Sequence, residues 1–117
     1  MNIYEKIDGI LATLEVPFYA RMPTFAANEE PQLYVVYSLY DTPKKRADGK
    51  LLAVQFNVTV NIIGTDTAAV ETLNSQIISL FENNKIYYSG CNYSSDTDFP
   101  QKIRNIMDFV TIQERND

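Results

Sequence analysis

The chain has 117 residues, 45% of them hydrophobic and 21% charged, which is the balance of one ordinary globular domain over residues 1–117. It contains no histidine and a single cysteine, Cys91, which excludes a Ser-His-Asp triad, an imidazole metal site and an intrachain disulfide. The formal net charge of −5 argues against a dedicated nucleic-acid binder with a broad basic face. No segment approaches the roughly 18 apolar residues of a membrane span, and the first residues do not read as a signal peptide. We therefore expect a protein made in the cytoplasm, with no membrane partner.

The first predicted element is an amphipathic helix over residues 2–14. Five apolar residues fall on one helical face: Ile3, Ile7, Ile10, Leu11 and Leu14. Asn2 is a suitable N-cap, and Pro17 ends the helix because the residue before a proline is pushed out of the α region. Residues 18–21 then favour a short strand.

Two longer strands are predicted next. Residues 32–40 are β-branched and aromatic on both parities, which indicates a strand covered on both faces. Residues 41–50 interrupt this pattern with Pro43, a basic run and an Asp-Gly turn signal, so we interpret them as a long hairpin connection. Apolar and polar side chains then alternate strictly over residues 54–62, which predicts one buried and one polar face.

A second helix is predicted over residues 67–81, where apolar side chains recur at helical spacing. Thr65 or Asp66 can cap its N-terminus. Asn83 and Asn84 end it, because asparagine tolerates the left-handed conformation that a helix C-terminus often needs.

The last two predicted strands are residues 86–89 and 103–112. Gly90 marks a bend or a bulge after the first of them, and residues 92–100 form a polar loop. The element order is α-β-β-β-α-β-β. It predicts an α+β fold in which both helices pack on one face of a mainly antiparallel sheet.

The most distinctive charged feature is a set of four basic residues in the predicted hairpin, which we take as the candidate interface. They are Lys44, Lys45, Arg46 and Lys50. Two interpretations remain open. Charge runs usually sit in water, so this can be the solvated tip of a hairpin. Alternatively, it contacts phosphate or an acidic patch on a neighbouring subunit.

Other residues give little indication of chemistry. Glu29 and Glu30, and the pair Asp96 and Asp98, are loop carboxylates without a calcium-binding pattern, so solvation is favoured over acid–base catalysis or metal binding. Cys91 has no histidine beside it to activate a thiol, which favours a core or half-buried thiol over a nucleophile. The sequence also lacks a glycine-rich phosphate loop. We expect no enzyme activity, no cofactor and no metal.

The eight tyrosines are many for this length and admit more than one interpretation. They can reflect ordinary sheet propensity, or part of their surface can be a subunit interface, where tyrosine is enriched. Tyr34 and Tyr37 have opposite parity and so face opposite sides of their strand. A ligand-binding domain would instead line an apolar pocket with some of Tyr34, Tyr37, Tyr87 and Tyr88.

The order and texture of these elements resemble the tail terminator, or tail completion, proteins of long-tailed bacteriophages and their prophage relatives. The resemblance covers nearly the whole chain. It runs through the helix 2–14, residues 16–19, the strand 33–40, the charged hairpin 41–50, the strand 54–62, the helix 67–81 and the final strand 104–112.

The resemblance implies a structural virion protein that forms a hexameric ring at the head-proximal end of the tail tube. Such a ring stops tube polymerisation and offers a surface for head attachment, while the genome passes through its lumen. The implied partners are further copies of the chain, the tail tube protein and a head-neck or connector protein. The implied location is the tail–head junction of the virion.

Under this resemblance, the basic hairpin becomes a candidate for docking or lumen contact, and an unpaired strand edge can complete a neighbour's sheet. The family contributes no catalytic residues. The alternatives are another neck or connector protein of the phage, or a small-ligand-binding α+β domain.

Overall fold

The computed structural model describes residues 3–21, 23–26, 29–47, 50–95 and 103–114. It contains two helices and a five-stranded sheet, which confirms the predicted α+β fold. The elements in chain order are α1 (Ile3–Ala12), β1 (Phe18–Tyr19), β2 (Leu33–Ala47), β3 (Lys50–Gly64), α2 (Thr67–Asn83), β4 (Tyr87–Ser95) and β5 (Ile103–Glu114). Across these residues, no helix is both long enough and apolar enough to cross a membrane.

The strands form one sheet in the order β1-β2-β3-β5-β4. The two-residue strand β1 pairs with β2 in parallel, and the other neighbouring pairs are antiparallel. The sheet is therefore mainly antiparallel, as predicted. Its outer strands are β4 on one side and, beyond the two residues that β1 covers, β2 on the other.

Both helices pack on the same face of the sheet, as predicted. Ile7 of α1 and Ile77 of α2 are completely buried, and they share one core cluster with Tyr37, Val60 and Met107. These last three residues stand opposite one another on β2, β3 and β5, so a single row across the strands forms the floor of the core. The alternation that predicted β3 therefore does report its buried face.

Helix α1 ends at Ala12, two residues before the predicted Leu14. The N–H groups of Thr13 and Leu14 still donate to carbonyls three residues back, so the chain continues as a tight turn. Glu15 then adopts a left-handed conformation, with φ of 58°, and the chain passes through Pro17 into β1.

For helix α2 the structure selects Asp66 from the two predicted N-caps. Its Oδ1 accepts a hydrogen bond from a backbone N–H of the first turn at 3.1 Å. At the other end the prediction was wrong about the left-handed residue, which is Lys85 with φ of 63°. Asn84 has φ of −106° and instead donates from Nδ2 to the Leu80 carbonyl at 2.8 Å.

The connection predicted over residues 41–50 is wrong in length. Residues 41–47 continue β2, and Lys50 already begins β3. Asp48 and Gly49, which remain between the strands, lie outside the described residues. Pro43 and the basic run are tolerated because this part of β2 is an edge strand, which has a ladder partner on one side only among the described strands.

The end of β4 also differs from the prediction. The strand continues to Ser95, across the first part of the loop predicted for residues 92–100. Its ladder partner β5 reaches this far and supplies the pairing. The irregularity predicted at Gly90 is confirmed as a register shift between Tyr88 and Gly90.

Candidate functional site

The β2–β3 hairpin extends beyond the rest of the sheet. Over the described residues, β5 pairs with β3 as far as Ala53 and β4 reaches Val110 of β5, so the described sheet narrows towards the hairpin end. We call residues 43–47 and 50–54 the ribbon. Among the side chains that the structure describes, Leu39 of β2 and Phe56 of β3 are the last towards the hairpin end that pack against the helix-covered core. The radius of gyration is 15.8 Å, against about 13.4 Å for a compact chain of this length.

The structure places the four predicted interface residues on this ribbon. Lys45 pairs with Ala53, and Lys50 stands opposite Ala47. Register shifts on both sides of Lys45 interrupt the ladder. The basic residues therefore lie on strands rather than in a connecting loop, and the hairpin brings them together at one end of the molecule. They are Lys44, Lys45, Arg46 and Lys50.

The outer face of the sheet, away from the helices, is partly covered by the chain itself. Tyr19 and Phe25 pack against Tyr34, Val36 and Ile63, which are all buried. The three aromatic rings contact edge-on, with centroids between 5.3 and 6.1 Å apart. The segment before β2 thus protects the part of the outer face furthest from the ribbon.

The part of the outer face nearer the ribbon is uncovered. Tyr40, Ile112 and Tyr87 are 64%, 55% and 52% exposed. Tyr40 and Tyr87 end one row across four strands, with Asn57 and Val110 between them. Exposed tyrosines beside uncharged side chains are typical of surfaces that contact other proteins.

Two other tyrosines have a structural role that the sequence did not reveal. Tyr34 and Tyr37 face opposite sides of β2, as predicted, and each is buried and donates to a carboxylate. The Tyr34 hydroxyl donates to Glu30 Oε1 at 2.7 Å, and the Tyr37 hydroxyl to Asp8 Oδ1 at 2.5 Å. Burial, and then the carboxylate, raises the pKa of both hydroxyls well above the ordinary tyrosine range.

The four tyrosines of the alternative ligand site are not brought together. Tyr34 and Tyr37 lie on opposite faces, while Tyr87 and Tyr88 lie on the outer strand β4. An open groove of about 480 Å³ lies instead between the end of α1 and α2. It is lined by Thr13, Leu14, Ser75, Gln76, Ser79 and Leu80.

Only some of the carboxylate and cysteine candidates lie among the residues that the structure describes. Glu30 accepts the hydrogen bond from Tyr34, which gives it a structural role. Asp96 and Asp98 lie outside the described residues, and Cys91 is a residue of β4. Within the described ranges, no three residues among His, Cys, Asp and Glu are grouped so that they could hold a metal ion.

Both outer strands present a free backbone edge. β1 pairs with only two of the fifteen residues of β2. The Val35 N–H donates outward to the Pro17 carbonyl at 2.9 Å. Because N–H and C=O directions alternate along a strand, Tyr37, Leu39 and Asp41 also direct these groups outward. No strand pairs with them in the part of the chain that the structure describes.

No model of a known protein family matches the chain, and no curated protein matches it either.

Proposed function

We propose that this chain is a phage tail terminator, a structural protein that forms a ring on the head-proximal end of the tail tube. The proposal rests chiefly on a sheet in which, among the described residues, both edge strands have unpaired backbone groups. Natural proteins usually shorten, cover or charge such edges, because free edges pair with other chains. Closing a ring from identical copies gives every open edge a partner.

The projecting ribbon suits the second task of a terminator, which is to hold on to another component. It carries four basic residues on a chain of net charge −5, so its charge is opposite to that of the molecule as a whole. Such a local positive charge is attracted to an acidic surface on the tube or connector protein. The acidic balance of the rest of the chain suits a ring through which DNA slides without being held.

The first experiment is the solution mass by light scattering over a concentration series. A hexamer of this 13.4 kDa chain has a mass of about 80 kDa. We expect that mass, together with ring-shaped particles in negative-stain micrographs. A chain that stays monomeric at every concentration, and that also fails to bind assembled tubes, would contradict the proposal.

The second experiment separates a terminator from a neck or connector protein, the nearest alternative. The purified chain is added to a purified tail tube protein while the tubes are growing. A terminator stops growth and is found at tube ends in micrographs. A neck protein leaves tube length unchanged and binds the head instead.

A further inference from the structure

Two stretches of free edge, on opposite sides of the sheet, have the same length. On β2 the stretch is residues 37–42. β1 occupies the edge before it, and Pro43 with the basic, irregular segment follows it. Proline, lysine and ladder irregularities all discourage a further strand from pairing at a sheet edge. Within the described part of the chain, these six residues of β2 therefore remain both free and regular on their outer side.

The matching stretch is residues 90–95 of β4. The register shift between Tyr88 and Gly90 precedes it, and Ser95 is the last residue of β4 that the structure describes. None of its six residues is charged or a proline. Among the described residues, nothing pairs with the outer side of β4. A regular, uncharged edge without protection is the kind that recruits another strand.

We propose that residues 37–42 of one copy pair with residues 90–95 of the next copy as antiparallel strands. The inference rests on the proposed function, because it requires a ring, and it identifies the surface through which that ring closes. Full overlap of the two stretches places Tyr37 opposite Ser95 and Asp41 opposite Cys91. Pairing of β4 with a second β4 would leave the stretch on β2 open.

The alternation of backbone groups agrees with this register. The odd-numbered residues of 37–41 direct N–H and C=O outward from β2. Followed through the ladders of β3 and β5, the same alternation makes the odd-numbered residues of 91–95 the outward ones on β4. The Asp108 carbonyl is directed towards β4, since it accepts from the Ser89 hydroxyl at 3.0 Å. With full overlap, every residue of β2 whose N–H and C=O point outward therefore stands opposite a residue of β4 whose N–H and C=O also point outward.

Strand direction also fits a ring. Three successive antiparallel pairings separate β2 from β4, so the two strands run in opposite directions within one copy. When every copy in a ring keeps the same orientation, the new pair is therefore antiparallel. The paired strands then join the two sheets edge to edge, with their helix-covered faces on the same side.

The proposed register displaces each copy along the strand direction relative to the next copy. The size of this displacement, which we call the stagger, is the one expected for a closed sheet. Within one copy Cys91 is level with Tyr37, through Met107 and Val60. Between copies it stands opposite Asp41, so the stagger is four residues over the four strands β2, β3, β5 and β4. With about 3.3 Å per residue and about 4.8 Å between strands, the strands tilt by about 35°. Closed barrels have tilts of about 35–45°.

One cysteine substitution tests the register, because Cys91 is the only cysteine in the chain. In D41C, the ring places the new residue opposite Cys91 of the next copy, about 5.5 Å away between Cα atoms, which a disulfide can span. Mild oxidation should then give reducible multimers up to ring size on non-reducing gels. Y40C is the matched control, since Tyr40 is 64% exposed but lies on the opposite face of the strand.

Each outcome has a defined meaning. More cross-linking in D41C than in Y40C, lost in D41C/C91S, supports the pairing. Equal cross-linking in samples that have the mass of a ring overturns the pairing and leaves the proposed ring intact. Ring-sized particles of the unmodified chain that cross-link through Cys91 alone bring two copies of Cys91 together, which the proposed pairing does not allow, so this outcome also overturns it. A chain that is monomeric throughout and also fails to bind assembled tubes overturns both.

A proline gives a readout that does not depend on disulfide chemistry. Asp41 is exposed and its N–H points outward, so D41P removes a donor from the free edge but none from the β2–β3 ladder. We expect D41P to keep the circular dichroism spectrum and unfolding midpoint of D41A, and to lose the ring mass that D41A retains. Equal ring mass in the two variants would overturn the pairing.

Discussion

Two buried tyrosine hydroxyls tie α1 and the segment before β2 to the sheet. Tyr37 is completely buried, whereas its partner Asp8 is exposed and can be hydrated once the hydroxyl is gone. We expect Y37F to lower the free energy of unfolding by about 1 kcal/mol, the usual effect of losing one hydrogen bond. Urea denaturation measures it. Y40F, at a 64% exposed position, should change stability by less than about 0.5 kcal/mol. Equal effects would show that the buried bond contributes nothing.

The same hydroxyls give the stability a pH dependence of defined sign. Burial first, and then the neighbouring carboxylate, raises the pKa of Tyr34 and Tyr37 above the ordinary value of about 10. The unfolded chain therefore loses these protons at lower pH than the folded chain. The stability they contribute is complete below about pH 10 and is lost as the pH rises further. In Y34F/Y37F, we expect the free energy of unfolding to fall less steeply above that pH. Identical slopes would contradict this account.

Sequence reasoning could not single out Asp8 or Glu30 as tyrosine partners. Each is an acidic residue in a segment that also carries other charges, and nothing local distinguishes it. The Tyr37 hydroxyl finds Asp8 at a separation of 29 residues, which only the packing of α1 against β2 creates. The sequence did contain one signal: β2 is predicted to be covered on both faces and has tyrosines at both odd and even positions. Because a buried hydroxyl needs a hydrogen-bond partner, such tyrosines indicate that polar partners lie on each side of the strand.

Helices and strands whose apolar residues recur at a regular spacing were predictable from the sequence. Strand segments that depend on hydrogen bonding to a neighbouring strand were not. The helical stripe of α2 and the alternation along β3 arise from burial, so the sequence shows them directly. Residues 41–47 have no such pattern in the sequence. Their strand conformation comes from pairing with β3, and the tail of β4 likewise depends on β5. Local composition does not contain that information.

The junction between β3 and α2 depends on Gly64. A Cβ at this position would lie 2.8 Å from Val70 Cγ2 and 3.0 Å from Leu33 Cδ1. Val70 is completely buried and cannot move aside freely. We expect G64A to lower the free energy of unfolding by about 1–3 kcal/mol through overpacking, as measured by urea denaturation.

Gly9 provides the opposite case for comparison. It lies in the middle of α1, and a Cβ there would meet nothing within 4 Å. Alanine favours a helix over glycine, so G9A should raise the free energy of unfolding by up to about 1 kcal/mol. A loss of stability in G9A similar to that in G64A would show that glycine is needed at both positions for some reason other than close contact.

For the whole molecule, the fold class could be predicted but the free edges could not. β5 lies between β3 and β4 in the sheet, although it follows both in the chain. Nothing in the periodicity of a strand tells which strand becomes its neighbour. The end of the molecule that carries the basic residues was predictable, because both strands of one hairpin lead to it.

The free edges and the basic ribbon occupy different parts of the molecule, so assembly and docking should be separable. The edge stretch of β2 ends at residue 42, and the basic run begins at Lys44. Reversing all four basic charges should leave the ring mass unchanged and abolish binding to tube ends, because attraction to an acidic surface becomes repulsion. The variant is K44E/K45E/R46E/K50E. Light scattering measures the first property, and micrographs of tubes mixed with the variant measure the second.

A matched pair of smaller variants separates position from net charge. K45E/R46E and K6E/R21E both reverse two basic charges of the ten in the chain, so their net charges are equal. Lys6 and Arg21 lie outside the ribbon, so K6E/R21E should bind tube ends as the unmodified chain does. K45E/R46E should bind tube ends weakly, and its remaining binding should decrease further as salt is added. If both bind equally well, or if the fourfold variant still stops tube growth, the basic run is a solvated hairpin end. Docking to the tube would then have to use another surface of this chain, of which the uncovered outer face near Tyr40 is the candidate.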